Sequence, residues 1–410
     1  MKKIVIIGGG ASGLVAAITA KNSDTEVVIL EREKRVGKKI LATGNGRCNM
    51  TNTGADVENY HGKSPEFVLG AIRRFWVNQT LEFFSELGIL WKEEKNGKVY
   101  PYSDTASSVL DVLRRKIEKE KIDVLYEFDV KETKKIKTGF EITAYDGRTV
   151  FADSLIVAAG GKATPSLGSN GSGFELLRSF GHRITDLKPS LVQIKTEQEV
   201  VRKLKGLKID GKLTIGNKSE NGEILFTDYG LSGPPVFSLS SILDNQKYAC
   251  IDIMPQFSRE EIKNILYQRC AYLYDVSLEE FFTGMLNKRI GQVLLKSLDI
   301  SPLSRLCSTL SEKEIDEIAN AIKCWKFKIT GTMSWNNAQV TRGGAYTSEF
   351  DSSTMESKLI PQLYACGEVL DIDGDCGGYN LQWAWSSGYL AGISASKNKN
   401  GRKINKEKNK

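Results

Sequence analysis

The sequence predicts an α/β fold in which a parallel β-sheet carries a nucleotide-binding turn and is interrupted by a separate β-rich and helical region. The first observation is a buried strand, a glycine-rich turn and a helix within the first twenty residues. The second is that the same strand-then-helix order returns near the C-terminus, from Leu363 to Ile393. Residues 190–330 carry no such turn, so we interpret them as an insertion.

The turn after the first strand has the spacing of a dinucleotide-binding loop. Ile4 to Ile7 form the apolar run that a strand buried on both faces requires, and Leu14 to Ala20 have the pattern of a helix. The G-x-G-x-x-G spacing comes from Gly8, Gly10 and Gly13, with Ala11 and Ser12 between the last two. The first glycine allows a tight turn, the second lets the backbone approach a pyrophosphate, and the third lets the helix pack on the strand. The helix N-terminus offers free N–H groups to the phosphates.

An acidic residue ends the second strand of the same unit. Glu31 follows a strand predicted over residues 26–30, whose last four residues are apolar, and lies eighteen residues beyond Gly13. A carboxylate there would accept hydrogen bonds from an adenosine ribose and would repel a 2′-phosphate. The order of strand, turn, helix, strand and acid therefore favours FAD or NAD over a merely structural glycine turn.

Composition limits the class of protein. The chain has 410 residues, enough for two or three domains, and its 40% hydrophobic and 26% charged content are typical of globular proteins. Residues 397–410 hold seven basic residues against Glu407, so this tail supplies most of the net charge of +7. We expect the tail to be disordered and the nearly neutral remainder to have no nucleic-acid-binding face. No stretch is long and apolar enough for a membrane span.

Cysteine usage predicts reduced thiols. The seven cysteines are widely spaced, there are only two histidines, and no C-x-x-C occurs, which argues against a zinc site or a disulfide framework. This pattern predicts a cytoplasmic protein. Lys2-Lys3 before an uncharged run resembles a signal peptide, but the glycines of the turn would interrupt its helix.

A basic loop after Glu31 leads into a stretch unsuited to a helix or strand interior. Lys38 and Lys39 precede Thr43-Gly-Asn-Gly-Arg-Cys-Asn49, in which two glycines flank an asparagine. Such a stretch exposes backbone to a flat or anionic ligand, and the alternative is a plain surface turn.

Helices are predicted on both sides of the next strands. Periodicity indicates helices over residues 65–90 and Ala106–Glu120, the second capped by Asp104 or Ser103. The glycine-rich loop at residues 168–174 has no buried strand before it, so it is expected near a flavin or substrate rather than at a nucleotide. His182, just after that loop's helix, is expected to interact with the helix C-terminal dipole.

The strands between these helices predict a β-meander and a closing strand. The meander is predicted from residues 124–128, 138–145 and 149–151, and the buried strand from Ser154 ends in Ala159-Gly160-Gly161. This order matches, by analogy, the FAD domains of flavoproteins. By this analogy, the meander of this chain would approach the adenine near Val130, and its Ala-Gly-Gly turn would lie near the cofactor.

The predicted domain boundaries follow the changes of pattern. Residues 190–257 are rich in strands, and residues 258–330 are helical, with candidate caps at Ser258, Ser277, Ser301 or Ser304, and Ser311. We predict a nucleotide-binding domain in two parts (1–189 and 331–396), an inserted β-rich domain (190–257), a helical subdomain (258–330) and a basic tail (397–410).

The C-terminal portion carries a second candidate binding edge. A short buried strand from Leu363 ends in Gly367-Glu368, and the helix Tyr379–Ile393 is rich in small residues, which indicates close backbone approach. The N–H groups of Asn380 and Leu381 would face a flavin carbonyl or the pyrophosphate.

From residue 2 to about residue 395 the chain resembles the BaiN-like family of FAD-dependent oxidoreductases. The resemblance is carried by GGGASG, KKILATGNGRCNMTN, VYPYSDTASSVLDVL, LIVAAGG, SLGSNGSGFELLRSFGH, FTDYGLSGPPV and STMESKLIPQLYACGEVLDIDGDCGGYNLQWAWSSGYLAG. It implies a Rossmann-like FAD-binding domain of the glutathione-reductase and fumarate-reductase type, with an inserted β-barrel and helical domain. It also implies one of the family's activities, reduction of a conjugated enone in 3-oxo bile acids or oxidation of aminoacetone.

The family's FAD contacts, carried over by position, imply a binding set in this chain. Its members are Gly8, Gly10, Ala11, Ser12, Gly13, Glu31, Lys38, Lys39, Thr43, Gly44, Arg47, Cys48, Asn49, Val130, Ala159, Gly160, Gly367, Glu368, Asn380 and Leu381. Many members have three glycines after Thr43, where this chain has Gly-Asn-Gly. Arg342 stands where the resemblance implies a small residue, which leaves the local substrate contacts undefined.

Two redox reactions and one binding role are open at this point. The leading hypothesis is a reductase of a small-molecule substrate: NAD(P)H reduces FAD, hydride passes from flavin N5 to the β-carbon of a conjugated C=C, and a proton reaches the α-carbon. Candidate donors are Arg47, Tyr379 and Arg342. The alternatives are a flavin oxidase of a small amine that releases hydrogen peroxide, and an RNA-binding flavoprotein suggested by the basic tail. Cys48 and Cys376 are more readily interpreted as unpaired thiols than as redox groups.

Overall fold

The structure, a computed structural model, describes residues 1–397 and divides into two compact units. The first unit contains Met1–Pro189 and the residues from Gln339 onward, and the second unit contains Ser190–Ala338. The predicted basic tail lies outside the described residues from position 398 onward.

The strands, numbered in chain order, are β1 (Lys2–Ile7), β2 (Thr25–Leu30), β3 (Thr51–Asn52), β4 (Tyr60–His61), β5 (Trp91–Glu93), β6 (Lys98–Pro101), β7 (Asp123–Leu125), β8 (Val130–Ile136), β9 (Gly139–Ala144), β10 (Thr149–Ala152), β11 (Ser154–Val157), β12 (Lys188–Ser190), β13 (Ile194–Thr196), β14 (Lys208–Ile215), β15 (Lys218–Phe226), β16 (Gly230–Ser232), β17 (Tyr248–Asp252), β18 (Trp325–Thr332), β19 (Val340–Arg342), β20 (Leu363–Ala365) and β21 (Asp373–Gly374). The α-helices are α1 (Ala11–Ala20), α2 (Val68–Ile72), α3 (Val77–Glu86), α4 (Ala106–Lys119), α5 (Ser172–Ser179), α6 (Gln198–Lys203), α7 (Pro234–Ser240), α8 (Arg259–Tyr272), α9 (Lys288–Ser297), α10 (Glu312–Lys323) and α11 (Tyr379–Ser396).

A five-stranded parallel sheet forms the centre of the first unit, in the order β20-β11-β1-β2-β7. Residues 4–7 of β1 pair with β11 on one side and β2 on the other, and all four are buried. The apolar run fits this place because a strand with neighbours on both edges and layers on both faces meets no water. The predicted parallel sheet is confirmed.

Helices α1 and α11 approach each other at backbone contact. A Cβ atom at Gly388 would lie 2.4 Å from the carbonyl oxygen of Ser12, and one at Gly392 would lie 2.4 Å from that of Ala16. The small residues of α11 therefore allow close packing on α1, which confirms the prediction.

The antiparallel meander consists of β8, β9 and β10, so one predicted member was wrong. Residues 123–125 form β7, which pairs in parallel with β2 in the main sheet. Val130 instead begins β8, which pairs with β9. The sequence hid β8 because the strand carries lysines at its exposed positions and has few apolar residues.

The predicted helix over residues 65–90 is broken. Helix α2 ends at Ile72 and α3 begins at Val77. Between them, the carbonyl oxygen of Phe75 accepts hydrogen bonds from the side chains of Ser386 and Gln382 on α11. These bonds replace the bond that the carbonyl would make within a continuous helix. Hydrophobic periodicity continues across the gap, so it could not show the break.

The predicted cap of α4 was also wrong. Thr105 precedes the helix and makes no side-chain capping bond to any described residue. Asp104 binds Arg47 and Lys92 instead, and the Ser103 hydroxyl bonds to the side chains of Thr105 and Ser108.

The second unit is built around a closed barrel with the strand order β13-β16-β15-β14-β17-β18 and has a hydrophobic core of its own. Helix α8 is capped by Ser258 with Glu261, and α10 by Ser311 with Glu314, as their sequences predict. Helix α9 begins after Asn287, so none of the three other candidate serines starts a helix.

Two cysteines of the second unit form a disulfide, which corrects the prediction that the thiols are reduced. Cys250 lies in β17 and Cys324 directly precedes β18, the neighbouring strand. Their Cα atoms are 5.1 Å apart although 74 positions separate them in sequence, and this separation is why spacing alone could not pair them. Over residues 1–397, no helix is both long and apolar enough to cross a membrane.

Candidate cofactor site and active site

The glycine turn in the first unit is tight on one side and open on the other. Gly8 has φ +106°, and a Cβ there would lie 2.5 Å from the carbonyl oxygen of Ala158, just after β11. A Cβ at Gly13 would lie 1.9 Å from the carbonyl oxygen of Gly8. At Gly10, by contrast, an added Cβ would meet no described atom within 4 Å. Only glycine fits at positions 8 and 13, whereas the open space at Gly10 leaves room for a ligand.

Helix α1 starts at this opening, at Ala11. Within the described chain, no side chain caps its N-terminus at Gly10. The first N–H groups of an α-helix have no partner inside the helix and carry the positive end of its dipole. The start of α1 is therefore suited to an anion such as a pyrophosphate.

Glu31 holds the turn from the end of β2. Its Oε2 accepts a hydrogen bond from the Gly9 N–H at 2.8 Å, and its Oε1 accepts one from the Glu33 N–H at 2.8 Å. Burial raises the pKa of Glu31, and the two N–H donors oppose this rise. Each carboxylate oxygen has a second lone pair, so these bonds are compatible with ribose hydroxyl donors.

The start of the meander lies beside Glu31. The Phe128 N–H donates to the carbonyl oxygen of Glu31 at 2.9 Å, and Asp129 pairs with Arg32 at 2.9 Å. Val130 follows at the first position of β8 and is buried. The structure thus brings Glu31 and the Val130 region together, as the sequence suggested.

The ends of β11 and β20 complete the wall around the turn. Ala159 lies next to Gly8, because its Cα would be 3.1 Å from a Cβ added at Gly8, and Gly160 follows with φ +70°. Gly367, after β20, has φ +75°, and a Cβ there would lie 2.5 Å from Ser12 Oγ. Backbones from three parts of the chain therefore converge on the start of α1.

The basic loop is tied to the same edge. Lys39 Nζ lies 2.9 Å from Glu368 Oε2, and Glu368 Oε1 accepts a hydrogen bond from the Thr341 N–H at 2.7 Å. Lys38 pairs with Glu33 at 3.1 Å and donates to the carbonyl oxygen of Ser166 at 2.9 Å. Both lysines have protein partners, so their charges position the loop.

The stretch from Thr43 to Asn49 has the backbone of a loop shaped by left-handed residues. Gly44 has φ +57° and Asn45 has φ +56°. Asparagine tolerates this conformation better than most other non-glycine residues, which explains how Gly-Asn-Gly replaces three glycines. Cys48 has φ +61° and is buried, and burial raises its pKa to about 12. Cys48 is not in a disulfide, which agrees with its interpretation as an unpaired thiol, and a raised pKa disfavours the reactive thiolate.

Arg47 is held in an ionic cluster. Its guanidinium donates to Glu94 Oε1 at 2.5 Å and from Nε to Asp104 Oδ1 at 3.0 Å, and it lies over the Tyr100 ring at 4.0 Å. Hydrogen bonds with Glu94 and Asp104 raise the pKa of Arg47 further above its usual range. The charge of this candidate donor is therefore already matched by two carboxylates.

Helix α11 starts with a second N-terminus that no described side chain caps. Its N-cap residue is Gly378, with φ +103°. Beside it lies Asn49, which is 8% exposed and whose Oδ1 has no hydrogen-bond partner among the described residues. The Asn380 side chain bonds to both the N–H and the carbonyl oxygen of Gly374, at 2.8 and 2.7 Å. The groups left for a ligand at this position are therefore the backbone N–H groups of Asn380 and Leu381. An uncapped helix start next to an unpaired buried amide fits a polar ligand.

Tyr379 and Arg342 lie near the residues that precede this helix. The Tyr379 ring meets the Tyr60 ring edge-on at 6.3 Å, and burial raises the pKa of Tyr379. Arg342 ends β19 and acts electrostatically on Asp371 and Asp373. Of the three candidate donors, Tyr379 is thus the first residue of α11, and Arg342 acts on the acidic residues that precede this helix.

Sequence reasoning missed the acidic and imidazole groups of this region. His61 Nε2 lies 2.7 Å from Asp375 Oδ1, and Asp373 is a buried carboxyl beside them. The signal that was present is the alternation of acids in Asp371-Ile-Asp-Gly-Asp375, which only Cys376 separates from Gly377-Gly378. His61 gave no signal because it is 314 positions from its partner.

His182 is not a partner of a helix dipole, which corrects that prediction. Its buried ring bonds to Glu349 Oε2 at 3.0 Å and to Ser357 Oγ at 2.9 Å, and it stacks on Phe350. The Ser357 oxygen also accepts the N–H groups of Leu359 and Ile360, so this histidine, acid and serine form a structural network.

These features define a class of protein. A Rossmann-type FAD-binding domain consists of the same parts. They are a parallel sheet with this glycine turn, an acid at the end of β2, a meander beside it, and a returning strand with an uncapped helix. No group of three or more metal-binding side chains occurs in the part of the chain that the structure describes. The chain is an FAD-dependent oxidoreductase of this class.

Residues 2–394 match the family described as the HI0933-like protein Rossmann domain, and the chain belongs to this family. The chain is 40% identical to the 3-dehydro-bile acid delta(4,6)-reductase of Clostridium scindens, over 97% of this chain and 99% of that protein. It is 32% identical to the ribosomal RNA dihydrouridine synthase of Escherichia coli, over 94% and 96%, and 29% identical to that of Haemophilus influenzae, over 96% and 98%. Among solved structures, a 3-ketosteroid-delta4-(5alpha)-dehydrogenase from Rhodococcus jostii RHA1 is similar over 97% of both chains, with 14% identity and a TM-score of 0.49. The resemblance to BaiN-like FAD-dependent oxidoreductases is confirmed.

Proposed function

We propose that this protein reduces a C=C bond conjugated to a carbonyl group, with FAD as cofactor and NAD(P)H as electron donor. The observation that carries the proposal is the 40% identity, over nearly the full length of both chains, to a protein named as a reductase of 3-dehydro-bile acids. The same relative favours a reductase over an amine oxidase. A small steroid-like enone is the first substrate class to test.

The geometry of the first unit supports a proposed set of cofactor-binding residues. The N-terminus of α1, with Gly10, Ala11 and Ser12, would bind the pyrophosphate, and Glu31 the adenosine ribose. The backbone at Val130 would contact the adenine. The loop from Thr43 to Asn49 and the start of α11 would contact the flavin ring.

When bound, reduced FAD supplies a hydride. The residues around the start of α11 would then orient the substrate and stabilise the negative charge that develops on its carbonyl oxygen. Tyr379 and Arg342 are the proposed hydrogen-bond donors to this oxygen, because Tyr379 is the first residue of α11 and Arg342 acts on Asp373, which shortly precedes the helix. Arg47 is the third candidate, and Glu94 and Asp104 hold its guanidinium in place.

A second candidate substrate is uridine in RNA. It is favoured by the two relatives named as ribosomal RNA dihydrouridine synthases, which the chain matches over more than nine tenths of its length. The C5=C6 bond of uracil is conjugated to the C4 carbonyl, so its reduction belongs to the same class as enone reduction. Both candidates need hydride at one carbon and a proton at the other.

Anaerobic stopped-flow experiments on the purified protein test the proposal. We expect the flavin absorbance to bleach on mixing with NADH or NADPH and to return on adding a 3-oxo-4,6-diene steroid acid or a uridine-containing ribosomal RNA. The acceptor that restores the flavin absorbance, steroid acid or RNA, identifies the substrate class. No bleaching by either nicotinamide contradicts the donor, and no return of absorbance with either acceptor contradicts the reaction. Rapid return with oxygen and stoichiometric peroxide would support the oxidase instead.

A cytoplasmic location stays a prediction. The Cys250–Cys324 bond removes part of the reasoning that led to it, because stable disulfides are rare in reducing compartments.

A further inference from the structure

Strands β4 and β21 bring three titratable side chains of the first unit together. The strands pair antiparallel, with His61 opposite Asp373 and Tyr60 opposite Gly374. Asp375 follows β21 directly. We call His61, Asp373 and Asp375 the His61 cluster.

Within the cluster, Asp375 holds the imidazole. His61 Nε2 lies 2.7 Å from Asp375 Oδ1, while Asp375 Oδ2 accepts from Asn59 Nδ2 at 3.2 Å. The Asp375 N–H donates to the carbonyl oxygen of Asn59 at 2.9 Å, which fixes the two chain segments to each other. The side chains of His61 and Asp375 are 28% and 36% exposed, so solvent or a ligand can reach them. A carboxylate on one ring nitrogen fixes the orientation of a histidine ring.

Asp373 is the buried member of the cluster. It is 1% exposed, and neither carboxyl oxygen has a hydrogen-bond partner within residues 1–397. Burial raises its pKa to about 7, the positive charges of His61 and Arg342 oppose the rise, and Asp371 and Glu368 add to it. A buried carboxyl without a partner costs stability, and such groups are frequent at functional sites.

The cluster lies at the start of α11, where we place the flavin. Gly374 is in contact with Tyr379 and with the Asn380 N–H, since a Cβ there would lie 2.8 Å from Tyr379 Cβ and 3.4 Å from the Asn380 nitrogen. The Tyr60 hydroxyl donates to the carbonyl oxygen of Tyr379 at 3.3 Å. The strands that carry the cluster therefore contact Tyr379, one of the proposed hydrogen-bond donors to the substrate carbonyl.

We propose that His61 is the acid that protonates the α-carbon of the substrate, with Asp375 as its positioning residue and Asp373 as a buried carboxyl opposite it in the strand pair. This inference rests on the proposed function. With FAD bound, the hydride that it supplies would form a C–H bond at the β-carbon, and the π electrons of the C=C bond would shift to give an enolate. The enolate α-carbon then takes the proton from the imidazolium, which leaves a neutral imidazole that regains a proton from water. Asp375 orients the ring, and Asp373 places a buried carboxyl beside it.

A comparison of two acceptors separates proton transfer from hydride transfer. Hydride addition to an enone must be completed by protonation, whereas hydride addition to a nitroalkene gives a stable nitronate that needs no enzymatic acid. For His61→Gln we expect flavin bleaching by NAD(P)H and nitroalkene reduction within about threefold of the wild type. We expect enone turnover to fall by a factor of about 100 or more. Glu58→Gln, on the exposed surface near the same segment, is the matched control and should retain wild-type rates.

Two further readouts do not depend on turnover. The wild type with oxidised flavin should exchange the α-proton of the saturated product for deuterium in D2O, and His61→Gln should lose this exchange at wild-type flavin content. Asp373→Asn should flatten the pH dependence of exchange near pH 7, because the pKa of Asp373 is raised to about 7.

The outcomes are distinct. If His61→Gln keeps enone turnover and exchange, or loses nitroalkene reduction as well, then His61 is not the proton donor. If the wild type turns over neither an enone nor uridine, the proposed function fails and this inference fails with it.

Discussion

Asp373→Asn is expected to raise the free energy of unfolding at alkaline pH and to leave it nearly unchanged in acid. The pKa of Asp373 in the folded chain is about 7, against an ordinary value of 3.8, chiefly because of burial. Between these values the folded chain holds a proton that the unfolded chain has released, so the stability of the wild type falls as pH rises from about 4 to about 7. At about 1.4 kcal/mol per pH unit, the penalty above neutrality is at most about 4 kcal/mol. Asparagine has the shape of the neutral acid and never carries this penalty.

Urea denaturation followed by tryptophan fluorescence measures the effect, since Trp383 and Trp385 are buried in α11 of the same unit. The difference in unfolding free energy between variant and wild type should grow from near zero at about pH 4 to its full value at about pH 8. Asp210→Asn removes an exposed carboxylate in β14 and is the control, with a small difference at every pH. A difference that does not change with pH, or a variant less stable than the wild type at about pH 8, would refute the reasoning.

Gly10→Asp is expected to fold, because the new side chain enters open space and caps α1. The variant should nevertheless purify without FAD, because its negative charge repels the pyrophosphate. Wild-type flavin content in the variant would contradict this prediction. Gly388→Ala should lower the free energy of unfolding by about 1–3 kcal/mol in urea titrations, because its Cβ would lie 2.4 Å from the Ser12 carbonyl oxygen, whereas Gly10→Ala should change it little. Burial lowers the pKa of His182, so the unfolded chain takes up a proton that the buried ring does not, and stability is lost as pH falls below about 6.5. His182→Gln should remove this part of the acid sensitivity in thermal melts, and an unchanged pH dependence would contradict the lowered pKa of the buried ring.

The features that the sequence predicted well are those fixed by neighbouring residues. Gly8 and Gly13 are needed for contacts within one turn, and their spacing alone indicates that turn. Glu31 ends the strand that directly follows α1, so its place beside the turn follows from a single β-α-β unit. The small residues of α11 revealed a close approach, although they did not reveal that α1 was the partner.

The features that were missed depend on residues far apart in the chain. Arg47 pairs with Glu94 and Asp104, and no local pattern links a loop arginine to acids about fifty positions away. His182 directly follows a helix, and this position predicted a contact with the helix end, but its partner is Glu349. Charged side chains at the exposed positions of β8 hid a strand, because periodicity detects apolar faces only.

The connectivity of the main sheet has a consequence for synthesis of the chain. Strand β20, at one edge of the sheet, and helix α11, which packs on α1, both follow the insertion in sequence. A ribosome therefore releases the glycine turn and Glu31 long before the residues that close the site around them. We expect that a nascent chain that stops before residue 339 does not bind FAD stably. The cofactor would then be retained only after nearly the whole protein has been made.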